Sequence, residues 1–334
     1  MVWWGIGVFL AALWLSRVVD AALGMNSVKD ISRPEWDRKA AADAPRISII
    51  VPARDEEDEI ESGLRSLLSL EYPDFEVIAV NDRSGDRTGE LMQHVAREHD
   101  HAHRLKIVNI EELPAGWLGK PHAMSTAVKQ ASGDWLLFTD ADVVFRPDSL
   151  CRAMAYVKES DADHLVIFPT HIDWSLSKKI MLAGFNMLFM FGHRPWKTAD
   201  PRARDHMGVG AFNLVKRSVY EAVGGFEKLK MEIIEDMRMG KLIKDAGFAQ
   251  RNVFGHDLLL LPWGAGAFAI IDNLTKNFFA LMQFSAWRAL GMCFLLAFFN
   301  LTPFAGIWLA HGWAKVPFAI ALFCILCMYI GMGL

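Results

Sequence analysis

Between residues 46 and 170, five short apolar runs alternate with four segments of helical periodicity, and that order leaves few folds open. The runs "RISIIVPA" (46–53), "FEVIAVND" (75–82), "LKIVNI" (105–110), "WLLFTD" (135–140) and "HLVIFPT" (164–170) have strand length. Residues 57–70, 87–98, 119–131 and 148–159 between them read as helices; in the first, Ile60, Leu64, Leu67 and Leu68 share one face. Repeated strand–helix units predict an α/β fold, a mostly parallel sheet flanked by helices. Ligands of such sheets sit beyond the carboxyl ends of the strands.

Acidic residues gather on that edge. Arg54, Asp55 and Glu56 come after the first strand, Asn81 and Asp82 end the second, and "TDAD" ends the fourth. In "LLFTDADVVF" (136–145) an apolar run breaks at Asp140 and Asp142 and then resumes. Unpaired carboxylates at the margin of a core are costly, so these two call for a cation, hydrogen bonds or water. Acids after three strands in register point to a site rather than a solvated loop.

Two nucleotide-binding solutions are excluded. "PAGWLGKP" (114–121) has Pro114 where a P-loop needs its first Gly and Pro121 where it needs Ser or Thr. The "GVG" of 208–210 continues to Asn213, not to the third Gly of a dinucleotide fingerprint, and no Gly is found after the first strand. Phosphates meeting an acidic edge without a glycine cradle need a bridging divalent cation, Mg²⁺ or Mn²⁺, held by the D-x-D pair. The formal charge of −4 gives no reason to expect nucleic acid as a partner.

The ends of the chain are different. "VWWGIGVFLAALWLS" (2–16), "GMCFLLAFFNLTPFAGIWLA" (291–310) and "VPFAIALFCILCMYIGMGL" (316–334) carry no charge and approach the roughly 20 residues that span a bilayer. No basic stretch precedes the first run, which favours an anchor over a cleaved signal peptide. Arg17, Lys276 and Arg288 flank the spans and place the middle of the chain on the cytoplasmic side. "IMLAGFNMLFMFG" (180–192) is apolar nearly all round but too short to span, and Lys178, Lys179 and "HRPWKTADPRAR" (193–204) flank it. It reads as a helix lying in the membrane interface, with a helix buried in the sheet domain as the alternative. "LLLLPWGAGAFAII" (258–271) reads as a second membrane-seeking stretch. Cys324 and Cys327 have C-x-x-C spacing but lie inside an apolar run without a second ligand pair, which argues against zinc. "HVAREHDHAH" (94–103) likewise reads as a solvated helix end.

The stretches "IIVPARDEE", "VIAVNDRSGDRT", "GKPHAMSTAVKQASGDWLLFTDAD", "GAFNLVKRSVYEAVGGF" and "EDMRMGKLIKDAG" come in the order and approximate spacing of family 2 glycosyltransferases, which residues 46–290 resemble. The resemblance implies a GT-A fold and four domains in order: an N-terminal anchor (1–24), a catalytic domain (45–256, nucleotide half 45–145, acceptor half 146–256), interfacial helices (257–288) and two transmembrane helices (289–334). "ELPAGWLGK" and the helical tail further resemble bacterial membrane enzymes that glycosylate hopanoid- or carotenoid-associated lipids.

The resemblance also implies residue roles. Asp82 would meet the nucleotide base, Pro52, Ala53 and Arg54, with Asp55 and Glu56, would line that pocket, and Lys120 would face the nucleotide. Asp140 and Ala141 match residues near the ribose and metal, Asp142 the metal ligand on the diphosphate, and Asp236, preceded by Glu235, the catalytic base. Where relatives carry Q-x-x-R-W, "QFSAWR" keeps Gln283 and Trp287 but has Ala286, with Arg288 one position late. That leaves closure over the diphosphate or a mere interfacial anchor equally open.

The activity implied is an inverting, metal-dependent hexosyl transfer from a nucleotide sugar, UDP-linked rather than GDP-linked, to a lipid hydroxyl at the inner-membrane leaflet facing the cytoplasm. An Asp base with an ordinary pKa near 3.9 is already ionised at neutral pH. The rivals are a membrane-bound nucleotidyltransferase, whose Gly-rich, Arg-containing loop is absent after the first strand, and an inactive scaffold that binds nucleotide sugar.

Overall fold

The computed structural model describes residues 1–41, 43–172, 176–262 and 267–333. The chain begins with a long helix, α1 (Val2–Gly24), and then enters an α/β unit. In chain order this unit runs β1 (Ile47–Ala53), α2 (Ile60–Leu68), β2 (Phe75–Asp82), α3 (Thr88–Glu98), β3 (Leu105–Ile110), α4 (Gly119–Val128), β4 (Trp135–Phe138), β5 (Val144–Phe145), α5 (Ser149–Ser160), β6 (His164–Phe168) and β7 (Thr170–Ile172). After a helix of the second unit, α6 (Leu176–Gly192), it resumes with β8 (Asn213–Lys216), α7 (Arg217–Ala222), α8 (Glu235–Asp245), β9 (Gln250–Phe254) and β10 (Leu259–Pro262). The chain ends in α9 (Ala267–Leu281), α10 (Ala286–Leu309) and α11 (Lys315–Gly333).

The main sheet has the order β3-β2-β1-β4-β8-β6-β9. All neighbours are parallel except β8, which runs antiparallel to both β4 and β6. All seven residues of β1 are buried, as a central strand covered on both faces requires. Alternate residues feed two cores. Ile49, Val51, Val77 and Leu137 pack with Leu64 of α2, Met92 of α3 and Leu150 of α5. Ile50, Ile78, Leu136 and Phe138 pack with Met124 of α4, Val219 of α7 and Ile243 of α8. The period of two thus buries helices against both faces.

A second sheet, β5-β10-β7, corrects one expectation. Residues 259–262 are not membrane-seeking: β10 pairs antiparallel to β5 and parallel to β7. Leu258 and Leu259 are fully buried in the sheet-domain core, where their apolar surface is already satisfied. Residues 263–266 of that stretch lie outside the described residues. The connector after α1 is held to the sheet edge by Phe254 N–H to Lys29 O (2.8 Å) and Ile31 N–H to Phe254 O (2.9 Å). Buried Arg152 of α5 donates to the carbonyls of Ile31, Ser32 and Arg33.

The second unit gathers α1, α6, α9, α10 and α11. Leu10, Trp14, Phe318, Ala321 and Ile325 form its core, and the Trp14 indole donates to Phe299 O at 3.0 Å. Among the described residues three helices are long and apolar enough to cross a membrane: Val2–Ser27, Ala286–Leu309 and Gly312–Gly331. Their apolar side chains Phe9, Phe294, Trp308 and Phe323 are exposed, as lipid-facing residues are. The helix α6 belongs to this unit, with Met187 in its core, so the alternative of a sheet-domain helix at 180–192 falls.

Candidate active site

Register levels the strand ends. Ala53 pairs with Asn81, and Ile50 with Phe138, so the segments after β1, β2 and β4 open on one edge. The first two loops are stitched together: Gly85 N–H donates to Asp55 Oδ1 (2.7 Å), Glu56 N–H to Thr88 Oγ1 (2.8 Å) and Glu57 N–H to Asp86 Oδ2 (3.0 Å). Asp55 adopts φ +55°, a left-handed turn that its side chain supports. Pro52 and Ala53 are buried at the strand end, whereas Arg54 is exposed and 3.8 Å from Asp55. Asp82 is buried and accepts two bonds from Arg83, at 2.8 and 3.1 Å.

The D-x-D residues have different surroundings. Asp140 N–H donates to Gly210 O (3.1 Å), and its Oδ1 receives the Lys120 ammonium at 2.6 Å. Lys120, in the first turn of α4, also reaches Glu235 Oε1 at 2.8 Å. Burial works against the Lys120 charge, but Asp140, Glu235 and Asp236 together hold its pKa well above the ordinary value. Ala141 is buried. Asp142 Oδ1 is buried without a hydrogen-bond partner. Burial, then Asp140 and Glu56, push the Asp142 carboxyl up to about 7. Burial and Asp140 likewise raise Glu56.

An orphaned carboxylate oxygen amid mutually repelling acids fits a hard divalent cation. Among the described residues no three His, Cys, Asp or Glu side chains already converge as a metal cluster. A cation held by Asp142 would draw its remaining oxygens from water or a bound phosphate, as Mg²⁺ sites do.

On the other side of Lys120, Glu235 and Asp236 open α8. Glu235 is only 3% exposed. Asp236 Oδ1 accepts from Met237 N–H at 2.7 Å. Burial and then Glu235 push its pKa up to about 7, which corrects the expectation of an ordinary carboxylate. Sequence periodicity could not foresee that shift, because it arises from neighbours brought in by folding.

Segment 207–213 runs between the two acidic groups, and sequence reasoning missed its role. A Cβ at Gly208 would fall on the Asp236 carbonyl oxygen, and one at Gly210 on Asp140 Oδ2. The "GVG" set aside as a broken dinucleotide motif is therefore a close-approach strip. Gln283, Trp287 and Arg288 lie in the helical unit, at the α9–α10 junction. There Gln283 and Phe284 have positive φ, Arg288 donates to the Gln283 side chain, and Trp287 is exposed.

Residues 48–224 match the family model for glycosyl transferase family 2. The chain belongs to that family. Membership disposes of the nucleotidyltransferase alternative. This family 2 chain is similar to 4,4'-diaponeurosporenoate glycosyltransferase of Staphylococcus aureus, with 28% identity over 235 residues, 68% of this chain and 60% of that protein. The Staphylococcus haemolyticus protein of the same name is 26% identical over 248 residues, 72% of this chain and 64% of that one. The family 2 chain thus spans about 60% of the length of the first of these relatives. Among solved structures it is similar to the mannosyltransferase PcManGT from Pyrobaculum calidifontis in complex with GDP-Man and Mn2+, with a TM-score of 0.60 and 21% identity. That match covers 97% of this chain and 87% of the other. At that identity the likeness speaks to the fold, which is GT-A.

Proposed function

We propose that the chain transfers a sugar from a nucleoside diphosphate sugar to a lipid acceptor, with inversion and with a divalent cation. The observation that carries this is the acidic edge itself: a partnerless Asp142 oxygen and a raised Asp236 carboxyl, separated by Lys120 and its two carboxylates. In this reading the α/β unit is the catalytic domain. Its half up to about residue 145 binds the donor, and its later half meets the acceptor. Pro52, Ala53, Arg54, Asp55, Glu56 and Asp82 surround the base and ribose.

Asp142, with Asp140, would hold Mg²⁺ or Mn²⁺, which when bound neutralises charge on the departing diphosphate. Lys120, held between Asp140 and Glu235, would add a fixed positive charge near the departing diphosphate, stronger for being set in place by folding. Asp236 takes the proton of the acceptor hydroxyl as its oxygen bonds to the anomeric carbon and the bond to the diphosphate breaks. A single displacement of this kind inverts the centre. A base typically contributes about 10²–10⁴ in rate. A pKa near 7 suits it better than an ordinary carboxylate, because a more basic group has more drive to accept a proton while about half of it is still ionised at neutral pH.

The lipid acceptor is supported by three helices of bilayer character and by the names of the curated relatives, whose acceptor is carotenoid-type. We take the catalytic unit to face the cytoplasm from a bacterial inner membrane, on the flanking Arg17, Lys276 and Arg288. Those names favour a second reading. A carboxylate acceptor, as "-oate" denotes, is already ionised and needs no base. UDP is our first choice of donor base; GDP, as in the PcManGT complex, is the competitor.

The test uses the full chain in lipid nanodiscs with a panel of UDP- and GDP-sugars, with Mn²⁺ or with chelator, and with extracted bacterial lipids. Metal-dependent release of UDP with a new glycolipid supports the proposal. Turnover untouched by chelator would overturn the metal role, and glycosylation confined to soluble acceptors would overturn the lipid one.

A further inference from the structure

Three strands of the main sheet begin with buried polar residues where a core would ordinarily be apolar. His164 opens β6, Asn213 opens β8 and Gln250 opens β9, and they are 0%, 3% and 1% exposed. His164 and Gln250 are direct cross-strand partners. Burying polar groups there is tolerable only if every donor and acceptor is used.

The bonds form one consistent set. Gln250 Nε2 donates to His164 Nδ1 at 2.7 Å and to Gly240 O at 3.0 Å, while its Oε1 accepts from Met207 N–H at 2.8 Å. With Nδ1 accepting, the imidazole carries its proton on Nε2 and donates it to Asn213 Oδ1. Burial holds His164 down to about 4, so it is the neutral ring this pattern needs. Asn213 Nδ2 in turn points at the carbonyl of Asp236, 3.5 Å away. Every side-chain bond that leaves the trio therefore ends on α8 or on the start of the glycine strip, the two pieces that place Asp236.

We propose that His164, Asn213 and Gln250 are positioning residues that set where α8, and with it the Asp236 carboxylate, stands relative to the donor site. The proposal rests on the reading of Asp236 as the base. None of the three contacts the reacting groups, so their removal should leave donor binding alone and degrade only the step that uses Asp236. A displacement of about 1 Å can cost up to about 10²-fold in rate.

The decisive variant is Gln250→Met, close in volume but without the three bonds. Asn213→Val serves as the second variant. Each is made in the full chain, alone and with Asp236→Asn, and assayed with UDP-glucose or GDP-mannose, whichever the parent turns over, and extracted bacterial lipids. We expect kcat per folded molecule to fall by about 10–10²-fold, with the affinity for Mn²⁺ and the matching nucleoside diphosphate (UDP or GDP) by calorimetry within about 3-fold of the parent. In the Asp236→Asn background the same substitutions should cost less than about 3-fold. Unchanged kcat in both variants, donor affinity falling in step with kcat, full additivity with Asp236→Asn, or failure of both variants to fold would each overturn the proposal. If Asp236→Asn alone leaves transfer intact, the base assignment has failed instead, a result that no behaviour of Gln250 or Asn213 can mimic.

Discussion

Lys120 Nζ lies 2.8 Å from Glu235 Oε1, so an ammonium at the start of α4 neutralises a nearly buried carboxylate at the start of α8. The same ammonium is 2.6 Å from Asp140. One side chain thus ties the D-x-D segment to the helix that carries Asp236.

Lys120→Met should leave Glu235 buried without its cation. Removing one partner of a buried pair costs about 3–5 kcal/mol, but Lys120 is 38% exposed, so solvent screening brings the expected loss to about 1–3 kcal/mol. Adding Glu235→Gln should recover part of it. Chemical denaturation of the four members of the cycle measures the coupling, and strict additivity would contradict the pairing.

Asp142→Asn removes the charge from the partnerless oxygen without changing its shape. Calorimetry should show UDP binding that no longer responds to Mn²⁺, with turnover lost to the same extent as in parental protein treated with chelator. Parental Mn²⁺ dependence in the variant would move the cation elsewhere.

Asp236→Asn should lower transfer by about 10²-fold or more while sparing donor binding. In the parent, a base whose pKa is about 7 is inactive when protonated, so kcat/KM should rise with pH and level off above about 7. The stability sign is opposite. Folding raises this pKa above its unfolded value near 3.9, so its contribution is fully present below pH about 4 and lost as pH climbs through about 7. Asp236→Asn should flatten that part of the stability profile. A carboxylate acceptor would show neither the acid limb nor the loss of transfer.

Gly208→Ala places a methyl group on the Asp236 carbonyl. Relief requires α8 to shift, at about 1–3 kcal/mol, and the lowered melting temperature should come with reduced kcat but near-parental UDP affinity. Equal loss in binding and turnover would show that the strip serves the donor side as well.

Phe185→Asp combined with Phe189→Asp puts two charges on α6, where the parental rings lie 6.0 Å apart. If this helix admits the lipid acceptor, hydrolysis of the nucleotide sugar in water should persist while transfer to extracted lipids in liposomes collapses. Parental transfer in the variant would place acceptor entry elsewhere.

Strand–helix alternation, the acids at strand ends and the charge-free terminal runs are local patterns, and they determined an α/β sheet, its acidic edge and the bilayer-length helices. Periodicity is written residue by residue, so β1, β2, β3 and β4 were legible without coordinates. Leu258 and Leu259 were misread, because an apolar run does not say whether lipid or a core covers it. The antiparallel insertion of β8 between β4 and β6 joins β4 to residues 75 to 81 positions away, which no local pattern encodes. The Asp236 pKa, the Lys120–Glu235 pair and the His164–Asn213–Gln250 network have the same origin. Each depends on distances between chain-remote groups and on the water that packing removes, and only the tertiary structure decides those.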